Sequence, residues 1–294
     1  MSTGKPRPLS RLRTRPAVRG PIEKFRELMA QVQNDAPPRV DGFGADAAYL
    51  EKTAPLLDFF FEDYFRVDMD GLDKIPNDGG GLIVANHAGF LPIDALMLSH
   101  GILRRHPAHR WARCMLEDTY MSAPFLSPML TRLGMVRAHR ENAARLLSRD
   151  HLVGVFPEGY KGALKPYSER YQLKRFGRGG FVKLAYGANV PLIPCAIIGA
   201  EEAYPMINNM RRLGTKLGIR AVPITLTFPL LGPLGVLPLP SKWAMLFGDP
   251  LDPTDYMDSE HDDIGAQRLK EDVRTKIQWM IRDLLARRES IWMG

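Results

Sequence analysis

One stretch of this chain restricts its fold more than any other, because it joins a buried strand to a helix through a polar turn. Residues 81–98 read GLIVANHAGFLPIDALML. Residues 82–85 form an apolar run that is typical of a buried strand, and the polar pair Asn86-His87 follows directly. In α/β sheets, ligands bind at the carboxyl ends of the strands, where loops carry the functional groups. His87 is therefore predicted to lie at a functional edge of a sheet.

Asp94 follows His87 at a distance along the chain that allows the two side chains to meet. Pro92 suits the first turn of a helix, which would place the Asp94 carboxylate near the helix start, where negative charge is stabilised. A carboxylate that holds one imidazole nitrogen leaves the other free to take a proton from a substrate hydroxyl. The residues alone leave two interpretations open: a catalytic pair, or a strand-end histidine and a helix-capping aspartate with no shared role.

The alternation of apolar and amphipathic segments predicts the fold class. The predicted strands are residues 66–72, 82–85, 112–116, 135–138, 152–156 and 191–198. The predicted helices are residues 45–65, 95–105, 125–133, 141–148, 180–186 and 264–288. Strands that are separated by helices pair in parallel through right-handed crossovers. We therefore expect an α/β fold with a mostly parallel central sheet flanked by helices.

Length and composition predict one large folded domain. The chain has 294 residues, of which 45% are hydrophobic, and this is enough for one full core. We expect the domain to span residues 43–294 and to be closed by the C-terminal amphipathic helix. Cys114 and Cys195 lie in separate apolar segments without disulfide or metal-ligand spacing. We therefore expect a reducing compartment and no metal site.

Residues 1–42 are expected to form a basic, disordered tail. Residues 1–20 contain six Lys or Arg and no acid, whereas the net charge of the whole chain is +7. Such a segment cannot pack a core, and its charge suits an anionic membrane or a nucleic acid. No nucleic-acid-binding motif accompanies it, so we expect an anionic membrane surface and no nucleic acid as partner. No secretory signal is visible, so we expect a peripheral protein on the cytoplasmic side of the membrane.

Residues 221–241 form the longest uncharged run of the chain. By length alone this run would qualify as a membrane span, but its five prolines break any single helix. We therefore expect a strand followed by an apolar loop. Such a loop can line an acyl pocket or dip into lipid headgroups, and a buried hairpin connection accounts for it equally well.

Four motifs occur in one order across the middle of the chain. They are Asn86-His87 with Asp94, GMVRAHR at residues 134–140, VFPEG at residues 155–159, and VPLIPCA at residues 190–196. Phe176-Gly177 and Gly180-Phe181 lie between the third and the fourth. Together these motifs resemble the glycerolipid acyltransferase family, which includes the 1-acylglycerol-3-phosphate acyltransferases. The resemblance spans residues 65–205, about half of the chain.

The resemblance implies a role for each matching residue. His87 would be the base that deprotonates the acceptor hydroxyl, and Asp94 would orient it. The implied substrate-binding residues are Asn86, Arg140, Glu158, Gly159, Lys161 and Pro194. Of these, Arg140 would hold the acceptor's phosphate, Glu158 and Gly159 would lie at the acceptor site, and Pro194 would support the acyl-donor side. We expect an open cleft with Arg140 and Glu158 on its walls.

Two departures from the family pattern bear on the function. Six residues separate His87 from Asp94, where family members usually have four, although a related subgroup carries a similar Gly-x-Leu-Pro-x-Asp loop. We nevertheless expect a carboxylate oxygen of Asp94 at roughly 2.6–3.2 Å from a ring nitrogen of His87. In addition, Tyr160-Lys161-Gly162 replaces the Thr-Arg-Ser that many members carry, so the acceptor need not be a phosphomonoester.

The leading hypothesis is an acyltransferase that moves a fatty acyl group to a free hydroxyl of a glycerolipid acceptor such as 1-acylglycerol-3-phosphate. The resemblance implies acyl-CoA or acyl carrier protein as co-substrate and no further cofactor. The alternative is a non-catalytic lipid-binding or membrane-scaffolding member with a degenerate histidine-aspartate pair. Hydrolysis of acyl esters is disfavoured because the chain has no Gly-x-Ser-x-Gly motif.

Overall fold

The structure, a computed structural model of the chain, describes residues 40–210, 214 and 222–292. Most of the expected tail, residues 1–39, lies outside the described residues. Its last residues belong to the folded domain, because Nη1 of the buried Arg113 lies 2.5 Å from Oδ2 of Asp41. Asp41, within the expected tail, thus packs against the folded domain, and the boundary at residue 43 stays a prediction.

Nine strands are described. They are β1 (Asp68–Asp70), β2 (Gly81–Ala85), β3 (Ala112–Leu116), β4 (Val136–Arg137), β5 (Leu152–Val155), β6 (Leu192–Ile198), β7 (Met206–Met210), β8 (Val222–Thr225) and β9 (Ala244–Phe247). Seven form one sheet in the order β1-β9-β6-β2-β5-β3-β4, in which β6 and β9 alone pair antiparallel. The expectation of a mostly parallel sheet is confirmed. Strands β7 and β8 form a separate antiparallel hairpin.

Strand β2 holds the centre of this sheet, because it pairs with β5 on one side and β6 on the other. Its side chains alternate between two layers of core. Ile83 and Ala85 pack into one layer, and Leu82 and Val84 pack into the other. A strand that is buried on both faces needs a continuous apolar sequence, which explains the run that precedes His87.

Helices cover both faces of the sheet. They are α1 (Ala47–Asp58), α2 (Ile93–Arg105), α3 (Asp118–Met121), α4 (Leu126–Arg132), α5 (Arg140–Leu147), α6 (Tyr160–Ala163), α7 (Gly180–Ala188), α8 (Ala200–Ala203) and α9 (Asp263–Arg287). One core layer includes side chains of α1, α2 and α4, and the other includes side chains of α5, α7 and α9. The predicted amphipathic helix at the C-terminus is confirmed, because α9 buries Leu269, Val273 and Ile277 against the sheet layer.

One predicted segment differs in detail from the structure, and another agrees with its prediction. The helix expected over residues 45–65 is α-helical only as far as Asp58 and then widens to a π-helical turn, Phe59–Tyr64. The uncharged run at residues 221–241 contains strand β8 and then a loop with a short 3₁₀ helix, Gly232–Val236, as its prolines indicated. Within the described part of the chain, no helix combines the length and the apolar character that crossing a membrane requires.

The central position of β2 leads to a test of stability. Ile83 is 0% exposed, whereas Ile264, in the first turn of α9, is 70% exposed. We expect Ile83→Ala to lower the free energy of unfolding by about 2–5 kcal/mol, because the truncation leaves a cavity in packed core. Ile264→Ala removes the same atoms and should change it by about 0.5 kcal/mol or less. Urea unfolding followed by tryptophan fluorescence measures both, and similar losses in the two variants would contradict the assignment of β2 to the core.

Candidate active site

A cavity of about 300 Å³ opens where three neighbouring strands end. His87 follows β2, Glu117 follows β3 and Phe156 follows β5, and all three residues line this cavity. Parallel strands bring their carboxyl ends to the same edge of a sheet, so residues distant in sequence meet there. The ring of Phe156 packs against the imidazole of His87 with their centroids 4.9 Å apart. His87 therefore lies at the edge that the sequence predicted.

The Asp94 carboxylate holds both the ring of His87 and the backbone beside it. Nδ1 of His87 lies 2.6 Å from Oδ2 of Asp94, which is the contact expected from the sequence. The same Oδ2 accepts a hydrogen bond from the N–H of Ala88 at 3.0 Å, and Oδ1 accepts one from the N–H of Ala95 at 2.8 Å. Asp94 is 1% exposed and lies in the first turn of α2, where its charge is favoured. The aspartate thus joins the end of β2 to the start of α2.

The two extra residues between His87 and Asp94 are accommodated by a compact turn. Gly89 has a φ of +83°, a conformation that L side chains rarely adopt. A Cβ at this position would lie 2.7 Å from Cδ2 of Tyr204, so the turn also needs the space that glycine leaves. The ring of Tyr204 packs edge-on against Phe90, with centroids 4.9 Å apart. The longer loop therefore bulges toward Tyr204 and returns Asp94 to the imidazole.

Charge near the imidazole favours its protonated form. Burial of His87 opposes protonation, but the Asp94 carboxylate in contact with the ring outweighs it and raises the pKa of His87 above its ordinary value. Glu158 and Glu117 act in the same direction from a greater distance. The imidazole is therefore prepared to accept a proton.

Glu158 contacts the backbone of His87 and does not line the cavity. This corrects the expected position of Glu158 on a cleft wall. Its Oε1 accepts a hydrogen bond from the backbone N–H of His87 at 3.0 Å, and its Oε2 accepts one from the N–H of Lys174 at 2.6 Å. The side chain is 0% exposed. These backbone hydrogen bonds draw the carboxylate inward, so Glu158 fixes the strand end that carries His87.

A buried lysine balances the charge of this carboxylate. Nζ of Lys165 lies 3.6 Å from Oε2 of Glu158 and 2.9 Å from Oε1 of Glu201. Burial of the amine works against its charge, but the two carboxylates outweigh this effect and raise the pKa of Lys165. Burial raises the pKa of Glu201 to about 7. A cation between two buried carboxylates offsets the free-energy cost of their desolvation. The Glu158 side chain can therefore remain buried next to the backbone of His87.

Asn86 and Pro194 are structural elements of the sheet and lie away from the cavity lining. The Nδ2 of Asn86 donates to the carbonyl oxygen of Ile197 at 2.9 Å, and its Oδ1 accepts from the N–H of Ile197 at 2.7 Å. Both polar groups of the amide are thereby used to hold the end of β2 against β6. Pro194 lies inside β6 next to Val84, and its carbonyl oxygen accepts a hydrogen bond from the N–H of Gly248. Neither residue lines the cavity, so the substrate contacts implied for Asn86 and Pro194 stay predictions.

The two remaining basic candidates also lie outside the cavity lining. Arg140 begins α5, is exposed, and forms an ion pair with Glu260, which explains why it does not occupy the expected cleft wall. Lys161 lies exposed in α6. Gly159 does line the cavity and has a φ of +54°. Of the residues implied to bind substrate, Gly159 is therefore the one that lines the cavity together with His87.

Three cavity residues, Glu117, Tyr120 and Arg178, were not predicted from the sequence, and Phe156 and Phe181 entered only as parts of motifs. Oε1 of Glu117 accepts a hydrogen bond from the N–H of Tyr160 at 2.9 Å, which links β3 to the loop after β5. Its place directly after β3 was a usable signal, because polar residues at strand ends share one edge. Arg178 lies in the glycine-rich FGRGGF segment, which was noted only as part of the resemblance.

Part of the chain matches a known protein family, and relatives cover most of it. The acyltransferase family model matches residues 66–198. An uncharacterized protein of Mycobacterium tuberculosis is 45% identical over 257 residues, which cover 87% of this chain and 72% of the relative. The human "DGAT1/2-independent enzyme synthesizing storage lipids" is 28% identical over 214 residues, or 73% of this chain and 60% of that protein. The chain thus spans less than two thirds of the human relative's length.

A solved structure shares the fold. The 1-acyl-sn-glycerophosphate (LPA) acyltransferase PlsC of Thermotoga maritima superimposes with a TM-score of 0.54 at 18% identity, covering 83% of this chain and 84% of PlsC. At this identity the likeness concerns the fold, and it agrees with the mostly parallel sheet described above. The resemblance seen in the four sequence motifs is confirmed by the family model, and residues 66–198 of the chain belong to the acyltransferase family.

Proposed function

We propose that this protein transfers a fatty acyl group from the thioester of acyl-CoA or acyl carrier protein to a free hydroxyl of a glycerolipid, such as 1-acylglycerol-3-phosphate. The observation that carries the proposal is the 2.6 Å contact between His87 and Asp94 at the edge of a cavity that His87 lines. Nε2 of His87 forms no hydrogen bond with any described residue, so it is free for a substrate hydroxyl. Glu158 and Asp94 hold the histidine in place by its backbone and its ring, respectively.

In the proposed reaction, Nε2 of His87 takes the proton of the acceptor hydroxyl while the hydroxyl oxygen bonds to the thioester carbonyl carbon. Asp94 stabilises the imidazolium that forms. When the tetrahedral intermediate collapses, the C–S bond breaks, the new ester is complete, and the imidazolium gives its proton to the thiolate. The acyl group moves directly between the two substrates, and no side chain of the protein is acylated.

The names of two similar proteins support a lipid acceptor. PlsC is named for 1-acyl-sn-glycerophosphate, and the human relative is named for storage lipids. Acceptors of this class reside in membranes, so the proposal includes a peripheral position on the cytoplasmic side of an anionic membrane. The alternative of a non-catalytic lipid-binding protein drew on the long spacing between His87 and Asp94, and the bulged turn at Gly89 removes that motivation.

Replacement of the base tests the proposal directly. We expect His87→Ala to lower the acyl-transfer rate by about 10²–10⁴, which is the usual contribution of a general base. His100→Ala is a matched control, because Nε2 of His100 lies 2.8 Å from Asp58 but His100 does not line the cavity. Rates per folded molecule, measured by mass spectrometry of the lipid product, should fall only in the first variant. Activity of His87→Ala within a few fold of the wild type would reject the proposed base.

The raised pKa of His87 predicts a pH dependence. The base must be neutral to accept a proton, so kcat/KM should fall as the pH drops through this raised value. Asp94→Asn removes the charge that raises the pKa, so the rate should decrease and the acid limb should move to lower pH. Asp58→Asn, which removes the carboxylate beside His100, should leave the limb in place. An unmoved limb in Asp94→Asn would contradict the proposed pair.

Arg178 is the best-placed residue for a phosphate of either substrate. Among the described residues it is the one arginine or lysine that lines the cavity, and it forms no ion pair with any of them. An exposed guanidinium without a carboxylate partner is suited to bind a phosphate through two parallel hydrogen bonds. Arg140, the implied phosphate ligand, is instead paired with Glu260. The proposal therefore assigns the phosphoryl contact in this cavity to Arg178.

We expect Arg178→Ala to raise the KM of the phosphate-bearing substrate by about tenfold or more, as the loss of a charge-assisted hydrogen bond predicts. Arg175→Ala is the control, because Arg175 lies in the same segment, is exposed and does not line the cavity. Lysophosphatidate compared with diacylglycerol tests the acceptor phosphate, and acyl-CoA compared with acyl-pantetheine tests the donor phosphates. An equal effect on all four substrates, or on both variants, would contradict the assignment.

A further inference from the structure

Exposed apolar side chains are concentrated in one part of the domain. Twelve large hydrophobic residues are exposed among those described, and seven of them fall between residues 207 and 237. We call these seven the apolar hairpin surface: Ile207, Met210, Leu226, Leu230, Leu231, Leu234 and Leu237. Leu230 is 84% exposed and Leu234 is 70% exposed. Single exposed leucines are common on soluble proteins, but a cluster of this kind marks an interaction site.

The hairpin and the loop that follows it are an ordered unit. Strand β7 pairs with β8, and the loop then folds back on itself. Oγ1 of Thr227 donates to the carbonyl oxygen of Gly235 at 2.9 Å, and the N–H of Leu231 donates to the carbonyl oxygen of Thr227 at 2.8 Å. These hydrogen bonds hold the loop in a folded turn while its leucines are exposed. The hydrogen-bonded turn and the restricted backbone of the prolines keep the apolar side chains on the surface.

This unit is anchored beside the proposed active site. The N–H of Leu239 donates to the carbonyl oxygen of Ala203, and Nδ2 of Asn209 donates to the carbonyl oxygen of Leu164 at 3.3 Å. Tyr204, which directly follows α8, packs against the turn at Gly89 between His87 and Asp94. The apolar hairpin surface is therefore rigidly connected to the loop that carries the catalytic pair.

The sequence around the hairpin adds positive charge. Met210 pairs with Val222, so residues 211–221 connect the two strands in the chain. This connecting sequence contains four Lys or Arg and no acid, and residues 221–241 contain no charge. Basic residues next to leucines suit an anionic lipid surface, where the charges meet headgroups and the leucines enter the acyl boundary.

We infer that the apolar hairpin surface docks into the interface of an anionic lipid bilayer. The inference rests on the proposed function, because an acceptor and an acyl chain that reside in a membrane must reach the cavity beside this surface. A lipid surface fits a patch with basic residues in its connecting sequence and no acidic ones. The hairpin, in this view, holds the cavity edge against the bilayer.

The test uses the full chain and vesicles of phosphatidylglycerol and phosphatidylcholine, without substrate, at low and at high salt. The double variant Leu230→Glu/Leu234→Glu should lower the vesicle partition coefficient by about tenfold or more at both salt concentrations, because it removes apolar insertion, which salt does not screen. The control Ile264→Glu/Trp279→Glu adds the same charge at residues that are 70% and 64% exposed. Its partition coefficient should stay within about twofold of wild type.

Vesicle binding is read without catalysis, so its result is independent of whether the protein transfers acyl groups. Unchanged partitioning of the hairpin variant would overturn the inference, and so would an equal loss in the control. Sedimentation equilibrium covers the other occupant of such a surface, a second copy of this chain. A wild-type dimer that the hairpin variant converts to monomers, with vesicle binding retained, would show that the surface is a subunit interface.

Discussion

The arrangement of the site depends on one buried carboxylate. Asp94 is withdrawn from solvent, and its charge is stabilised by the imidazole of His87 and by the N–H groups of Ala88 and Ala95. These partners lie on both sides of a turn, so the hydrogen bonds that solvate the carboxylate also close the turn. A buried charge is costly unless it is fully hydrogen-bonded, and the turn is therefore restricted to the shape that supplies these donors. These hydrogen bonds to Asp94, more than the number of residues in the loop, determine the shape of the turn.

A second carboxylate restricts the same histidine from the neighbouring strand. Glu158 follows β5 and accepts the backbone N–H of His87, whereas Asp94 contacts the ring. The two acids thus fix different parts of one residue, and the positive charge of Lys165 lies next to Glu158. Because His87 is held at its backbone N–H and at Nδ1 of its ring, the imidazole has few orientations available. Nε2 therefore points in a restricted direction. In the proposed reaction, preorganisation of this kind would lower the entropic cost of bringing the base and the hydroxyl together.

The sheet and the position of His87 could be predicted from the sequence because both follow from local patterns. The apolar run before His87 and the glycine and proline of the turn are read within a few residues of one another. The roles implied for Asn86 and Arg140 could not be tested in this way. Their side chains are directed by Ile197 and Glu260, each more than a hundred residues away, and such partners leave no local signal. Family motifs locate the site, but the partners decide which motif residues face the cavity.

The packing of Tyr204 joins the turn between His87 and Asp94 to the hairpin that we propose as the membrane-docking surface. Its ring lies against Gly89 in the turn that returns Asp94 to His87, and it precedes the first strand of the hairpin by only a few residues. Gly89 has no Cβ, so the ring can approach the turn closely enough to fix its position. A substrate with an apolar chain and a polar hydroxyl needs an apolar surface and a base at a constant separation. In the proposed function, the contact between Tyr204 and the turn would set that separation, because packed interiors transmit position without much compression.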